Sequence, residues 1–377
     1  MSRDSQQSHV LCLTGGRSLN KRMSLFIEGT LRTGAGVTVV ALPRGPWSFA
    51  RFENDQGQAD TTLCRCRFGS GERAALTAIF CFHWIMLPLA VLIGRLRSVP
   101  VIYDEHDHYE VNTQEGKRTS IRAWLSQKSV RWIHRCCLPF VSLVTCIHMY
   151  EALLSRHLQQ WQPNVLELHN YPVGAWRSLS PPDDPNSPLC FIYMGGIYEE
   201  KGVRNAVEAF GQLPDALRRR CQLHLFGHGD EGLIRELKQR PEVSVHDSVT
   251  PEELRQFAAE HRCCGLVLYS EHPRYRLIGT NSRKLYEYLA MGLPVIVTRV
   301  GEIPTFIEKH DLGMVIDCRI NVDELQEAMC RIAQSFETWR ALSENASVLM
   351  SDPRMSWESE WNKVLRSGLL DTDRRAA

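Results

Sequence analysis

Two long stretches of this chain alternate between short apolar runs that read as strands and amphipathic runs that read as helices. Residues 171–188, YPVGAWRSLSPPDDPNSP, separate them with five prolines. Strands alternating with helices leave few options beyond right-handed βαβ units in parallel sheets. The expected fold class is therefore α/β, with two Rossmann-like doubly wound domains facing across a cleft. The expected bounds are 1–175 for the first domain, 176–188 for the linker, 189–350 for the second domain and 351–377 for a terminal helix and tail. A length of 377 residues suits two cores rather than one. In open α/β sheets ligands sit beyond the carboxyl ends of the strands, which is where chemistry is sought.

Net charge is +1, so no global field recruits nucleic acid, and any basic partner surface must be local. The thirteen cysteines are scattered, and the N-terminal residues MSRDSQQSHV lack the apolar stretch of an export signal. Free thiols in a reducing cytosol are the expectation. Cys64 and Cys66 form a C-x-C without a second pair at metal spacing, so no metal site is expected. Residues 74–94, AALTAIFCFHWIMLPLAVLIG, carry no formal charge over the length of a membrane span. His83 and Pro88 interrupt the run and a strand-like VPVIYDEHD follows, so it reads as core strand and helix, with His83 a core histidine.

Three pieces of the second half could hold a ligand. After the strand LCFIYMGG, Gly195 and Gly196 make a turn and Lys201 opens a helix, a pattern suited to anions. In LHLFGHGDE, Gly227 again follows a strand, where a glycine lets main chain approach a ligand or simply makes a tight loop. In TNSRKLYEYLAMGLPVIVT, residues 280–298, Asn281 or Ser282 caps a helix that Gly292 and Pro294 end. Lys284 and Glu287 lie three residues apart on that helix. They form either an exposed ion pair or a charged pair holding a phosphate and ribose hydroxyls. In the first half, Asp104 and His106 end the strand VIYDEHD, and Gly15-Gly16 end the first strand. Residues 117–135, KRTSIRAWLSQKSVRWIHR, carry six Lys/Arg, two Trp and no acid. They fit an anionic lipid surface or an ordinary solvated helix.

YMGGIYEEKG, SRKLYEYLAMGLPVIVT, VGEIPTFIEKHDLGMVI and MSWESEWNKVL, in this order, resemble the retaining family-4 glycosyltransferases of GT-B fold. Ser282-x-Lys284-Leu285-x-Glu287-Tyr288 is similar to a variant of that family lacking the first Glu of its E-x7-E motif. Gly279 stands in that place, and Gly196 stands where the family has Arg. The resemblance implies a terminal helix crossing back to the first domain. It implies that Glu287 holds the donor ribose, and that Lys201 and Lys284, helped by Arg283, face the pyrophosphate without a metal ion. The turns at Gly195, Gly196 and Gly227 and the cap at Asn281, Ser282 and Leu285 complete the implied nucleotide site. By the same resemblance His106 touches the donor sugar and Asp104 orients it. The implied activity is transfer of a sugar, with retention, from a nucleotide-sugar to a hydroxyl acceptor. Assembly of cell-surface polysaccharide or glycolipid at the inner face of the membrane fits the basic stretch. The competing expectations are a nucleotide-sugar epimerase and a catalytically degenerate nucleotide-sugar-binding subunit.

Overall fold

The computed structural model describes residues 8–15, 20–41, 75–109, 121–174, 182, 184–271 and 273–370. Gly16, Cys64, Cys66, residues 117–120, most of the 176–188 linker and the tail 371–377 lie outside the described residues. Two compact units result. One comprises the chain up to His148, Ala152–His169 and the residues from Glu358 onward; the other comprises Met149–Glu151 and Asn170–Trp357.

The first unit is a parallel sheet of β1 (Ser8–Thr14), β2 (Gly36–Ala41), β3 (Ala75–Cys81), β4 (Val101–Glu105), β5 (Leu143–Ile147) and β6 (Val165–Leu168). Its order is β2-β1-β3-β4-β5-β6. The chain reverses direction across the sheet between β1 and β3, a switch point at which loops diverge and leave room for a ligand. The charge-free run of 74–94 becomes β3, a short turn at Trp84–Met86 and the helix Leu87–Arg97. No helix among the described residues is long and apolar enough to cross a membrane. The terminal helix Trp357–Leu365 packs in this unit, on the helix Lys21–Arg32. The Trp361 ring lies where a Cβ on Gly29 would come within 2.6 Å, and it meets Phe26 edge-on at 5.6 Å.

The second unit is a six-stranded parallel sheet of β7 (Leu189–Met194), β8 (Cys221–Phe226), β9 (Val243–His246), β10 (Arg262–Val267), β11 (Val295–Thr298) and β12 (Gly313–Ile316). Its order, β12-β11-β10-β7-β8-β9, is that of a dinucleotide-binding Rossmann sheet with its switch point between β7 and β10. Every residue of β10 and β11 is buried, as expected of central parallel strands covered by helices on both faces.

Candidate functional site

The turns that leave β7 and β8 are packed backbone on backbone. Gly227 has φ +156°, and a Cβ there would lie 1.9 Å from the Gly195 carbonyl oxygen. Gly195, at φ +135°, donates its N–H to the Phe226 carbonyl (2.9 Å), and Ile197 donates to that of His228 (2.9 Å). The β7–β8 ladder thus runs past the strand ends and presents main chain without side chains at the switch point. Gly196 is covered by the exposed ring of Tyr198, which a Cβ would meet at 2.7 Å. The arginine expected of the family at this position would have to displace that ring.

Helix Arg283–Ala290 aims its first turn at the same place. Ser282 caps it by accepting from Leu285 N–H (3.4 Å), and the Ser282 hydroxyl also bonds the Tyr269 phenol (2.9 Å) just beyond β10. Asn281 accepts from the Asn170 backbone N–H (2.5 Å), while its side-chain nitrogen is buried with no partner among the described residues. Leu285 is fully buried in the core, so its contribution is packing.

The charges differ from the simple Lys-Glu pair. Glu287 is buried and accepts from Arg283, one turn earlier, at 2.8 Å. Lys284 turns the other way and reaches the Gly195 turn, where a Cβ would lie 3.4 Å from its Nζ. The ammonium stands 4.5 Å from the ring centroid of Tyr193 and 5.3 Å from that of Tyr269. It has no hydrogen bond or ion pair among the described residues. Burial, and then the charge of Lys201, push its pKa from 10.5 down to about 7, against the opposing pull of Glu287. Lys201 itself donates to the Tyr275 hydroxyl and lies 4.5 Å from that ring's centroid. Two lysines beside glycine turns, one of them without a hydrogen bond or ion pair among the described residues, are an arrangement of the kind that suits an anion.

Tyr193, Tyr269 and Tyr275 were not singled out in the sequence. The signal was present for the first two, since each sits at the carboxyl end of a central strand. Gly279 is buried in the loop that leads to the helix.

In the first unit the residues at the ends of β1, β3 and β4 come together, but not as expected. Asp104 is fully buried and is taken by Arg22, which donates Nε to Oδ2 (2.9 Å) and a terminal nitrogen to Oδ1 (2.8 Å). Thr145 donates a further bond to Oδ1 (2.7 Å). His106 Nδ1 lies 3.8 Å from Asp104, too far for the orienting hydrogen bond expected of that carboxylate. The His106 ring is held instead by the Tyr109 phenol, 3.1 Å from Nε2. Burial, then the charge of Glu105, keep the Tyr109 phenol protonated. His83 is not a core histidine. Half-buried beyond β3, it accepts from Ile85 N–H (3.3 Å), lies against Gly15 and stacks obliquely on Tyr109 at 5.1 Å. Among the described residues no group of three or more His, Cys, Asp or Glu is placed to hold a metal ion.

Comparison with known proteins gives three kinds of result. Residues 188–335 match the family model described as glycosyl transferases group 1. No curated protein matches the chain. Among solved structures, HepE of Anabaena, in complex with UDP-glucose, is 14% identical with a TM-score of 0.65; the likeness covers 95% of this chain and 98% of that one. Sucrose-phosphate synthase of Thermosynechococcus elongatus is 17% identical with a TM-score of 0.60, over 95% of this chain. WaaG, a glycosyltransferase involved in lipopolysaccharide biosynthesis, is 16% identical with a TM-score of 0.59, covering 97% of this chain and all of that one. These likenesses show the GT-B fold.

Proposed function

We propose that the chain is a glycosyltransferase that takes its sugar from a nucleotide-sugar donor held by the second unit and gives it to a hydroxyl acceptor. The observation that carries this reading is Lys284, a buried lysine without a hydrogen bond or ion pair among the described residues, set between two tyrosine faces at the β7–β10 switch point of a segment matching glycosyl transferases group 1. The pyrophosphate takes Lys284 and Lys201, with the Gly195, Gly196 and Gly227 turns beside it, and Glu287 accepts from the ribose hydroxyls. Arg283, paired with Glu287 at 2.8 Å, orients its carboxylate for that task. UDP is the first probe, since it is the nucleotide in the HepE complex.

The finer reading is transfer with retention and without a metal ion. Charge growing on the departing diphosphate is stabilised by the two lysines, and the leaving phosphate receives the acceptor proton. His106 is the candidate contact to the donor sugar, and the first unit carries the acceptor, of the kind used in cell-surface polysaccharide or glycolipid assembly. Gly279 supports a second reading, a nucleotide-sugar-binding subunit without turnover, because a buried glycine stands where the family presents a sugar-binding carboxylate. Release of UDP from a panel of UDP-sugars with and without acceptor extracts separates the two.

Glu287→Ala is expected to weaken UDP binding by about 10–100-fold, the worth of a charged hydrogen bond lost from a buried site. Titration calorimetry of the variant reads it, and unchanged affinity removes Glu287 from the site. His106→Ala is expected to lower kcat by at least tenfold with little change in UDP affinity. An equal loss of both would point to a folding defect instead.

A further inference from the structure

The amino-terminal edge of the second sheet holds a charge that the fold does not answer. Arg262 opens β10 and lies beside Leu189, the first residue of β7. Only 4% of it is exposed, and its Nε is buried with no hydrogen-bond partner among the described residues. Its terminal nitrogens make no hydrogen bond or ion pair there either. Buried polar groups are nearly always paired, and buried charges more strictly still, so an orphaned guanidinium marks a place that suits an anion.

The partners Arg262 does have are aromatic. The helix Phe336–Met350 supplies two stacked rings, Phe336 and Trp339, whose centroids lie 5.4 Å and 5.7 Å from the guanidinium carbon. Trp339 is fixed in turn by donating its indole N–H to the Cys263 carbonyl (2.8 Å). A guanidinium held over rings keeps its planar edge of N–H donors, a shape that takes two oxygens of a phosphate at once. The ring faces offset only part of the cost of burying the charge. Burial holds the Arg262 pKa below its ordinary value and the charge of Arg220 acts in the same direction, against the pull of Cys221, Asp184 and Cys190. Asp184 forms no ion pair with it; that carboxylate accepts from Asn186 N–H (2.9 Å) and the Ser187 hydroxyl (3.1 Å). Arg220 is exposed, and its side chain donates only a long bond to the Pro185 carbonyl (3.4 Å). Its own carbonyl accepts from Leu189 N–H (3.0 Å), so Arg220 and Arg262 flank the start of β7 from either side.

We propose that this edge of the second unit binds a phosphate group, with the buried Arg262 as its bidentate partner and Arg220 at the rim. β7 has six residues, so roughly 20 Å of strand separates this site from the Gly195 turn at the opposite edge of the sheet. It is a second anion site, apart from the lysines beside Gly195, and does not rest on the proposed activity. A phosphate there neutralises a buried charge at the root of β7 and β10, the two strands that form the switch point, and so stabilises the unit on binding.

The test titrates inorganic phosphate into the full chain, with chloride at equal ionic strength as the reference, and reads calorimetry and thermal melting. Phosphate at about ten times its Kd is expected to raise the melting temperature by about 3–5 °C. Arg262→Met, which keeps an apolar stem against the rings, is expected to abolish that rise and to lower phosphate affinity at least tenfold. Arg220→Glu, at an exposed position, is expected to lower phosphate affinity about fivefold, and it carries the test if Arg262→Met folds poorly. UDP affinity is expected to stay at the parent value in both variants. Lys284→Met is expected to keep the rise, which separates this site from the lysines of the other edge. Glycerol phosphate, titrated in the same way, distinguishes the sources: tighter binding than inorganic phosphate assigns the site to a phosphorylated metabolite, and equal or weaker binding to free phosphate. No rise beyond that with chloride, a rise kept in both arginine variants, or a rise lost only in Lys284→Met overturns the proposal.

Discussion

Replacing Lys284 with methionine is expected to lower kcat/KM for the nucleotide-sugar by about 10²–10³-fold, the usual cost of removing one preorganised donor from a developing oxyanion. The same change is expected to raise the melting temperature by about 2–4 °C. The two signs differ because the ammonium contributes nothing to the fold that an apolar chain would not. It is desolvated and repelled by Lys201, and the charge of Glu287 and the faces of Tyr193 and Tyr269 offset that only in part. Methionine keeps the stem and the packing and removes the charge. The gain in stability depends on pH with a definite sign. A lysine whose folded pKa lies near 7 and whose unfolded value is 10.5 destabilises the fold fully below pH 7. The penalty is relieved as pH rises through that window, so the advantage of the methionine variant shrinks from pH 7 toward pH 10. Thermal melts at several pH values, alongside steady-state kinetics, check both halves. A variant that is less stable at pH 7 and merely less active would show that Lys284 is a structural cation.

Asp104→Ala is expected to destabilise the first unit by about 3–5 kcal/mol, the cost of stranding one member of a buried ion pair. Arg22 is nearly as buried as Asp104 and donates three hydrogen bonds to the carboxylate, beside the one from Thr145. Removing the acid leaves the guanidinium without compensation inside the sheet, between the helix Lys21–Arg32 and the ends of β4 and β5. Loss of activity in this variant is expected to follow the fraction unfolded in urea, with near-normal turnover of the folded protein at low temperature. A fall in kcat without a change in the urea midpoint would return Asp104 to the orienting role expected from the sequence. Tyr109→Phe then serves as the comparison, because in the structure it is the Tyr109 phenol that holds His106.

The alternation of strands and helices was legible because it is local. A central parallel strand must be apolar throughout, and a covering helix must repeat near 3.6 residues, so β7, β10 and the helix Val203–Gly211 each announce themselves in fewer than a dozen residues. The glycines at 195 and 227 were legible for a related reason, since each terminates a strand where only a residue without a side chain fits. Partnerships between distant residues were not legible. Arg22 and Asp104 lie 82 positions apart, and nothing in either neighbourhood marks the other. Within the helix Arg283–Ala290 the spacing allowed both Lys284 and Arg283 to pair with Glu287. Packing against Tyr193 and Tyr269 decided between them, and those rings come from strands that only the folded sheet brings together. His83 was read as core because its neighbours are apolar, yet β3 ends one residue before the loop that carries it. The run around it divides into a buried strand and a half-exposed helix, a distinction that apolar composition does not encode.

The central claim is that the turn-and-lysine site of the second unit receives the diphosphate of a nucleotide. Titration calorimetry with UDP at pH 7.5, in two buffers of different ionisation enthalpy, tests it most directly. About three-quarters of Lys284 is unprotonated at that pH if its pKa is near 7. Binding of the polyanion is therefore expected to take up a substantial fraction of one proton, seen as a difference in apparent enthalpy between the buffers. Lys284→Met is expected to abolish that uptake and to bind UDP at least tenfold more weakly. No heat with UDP or with any other nucleoside diphosphate, or equal affinity and equal proton uptake in the methionine variant, would contradict the account.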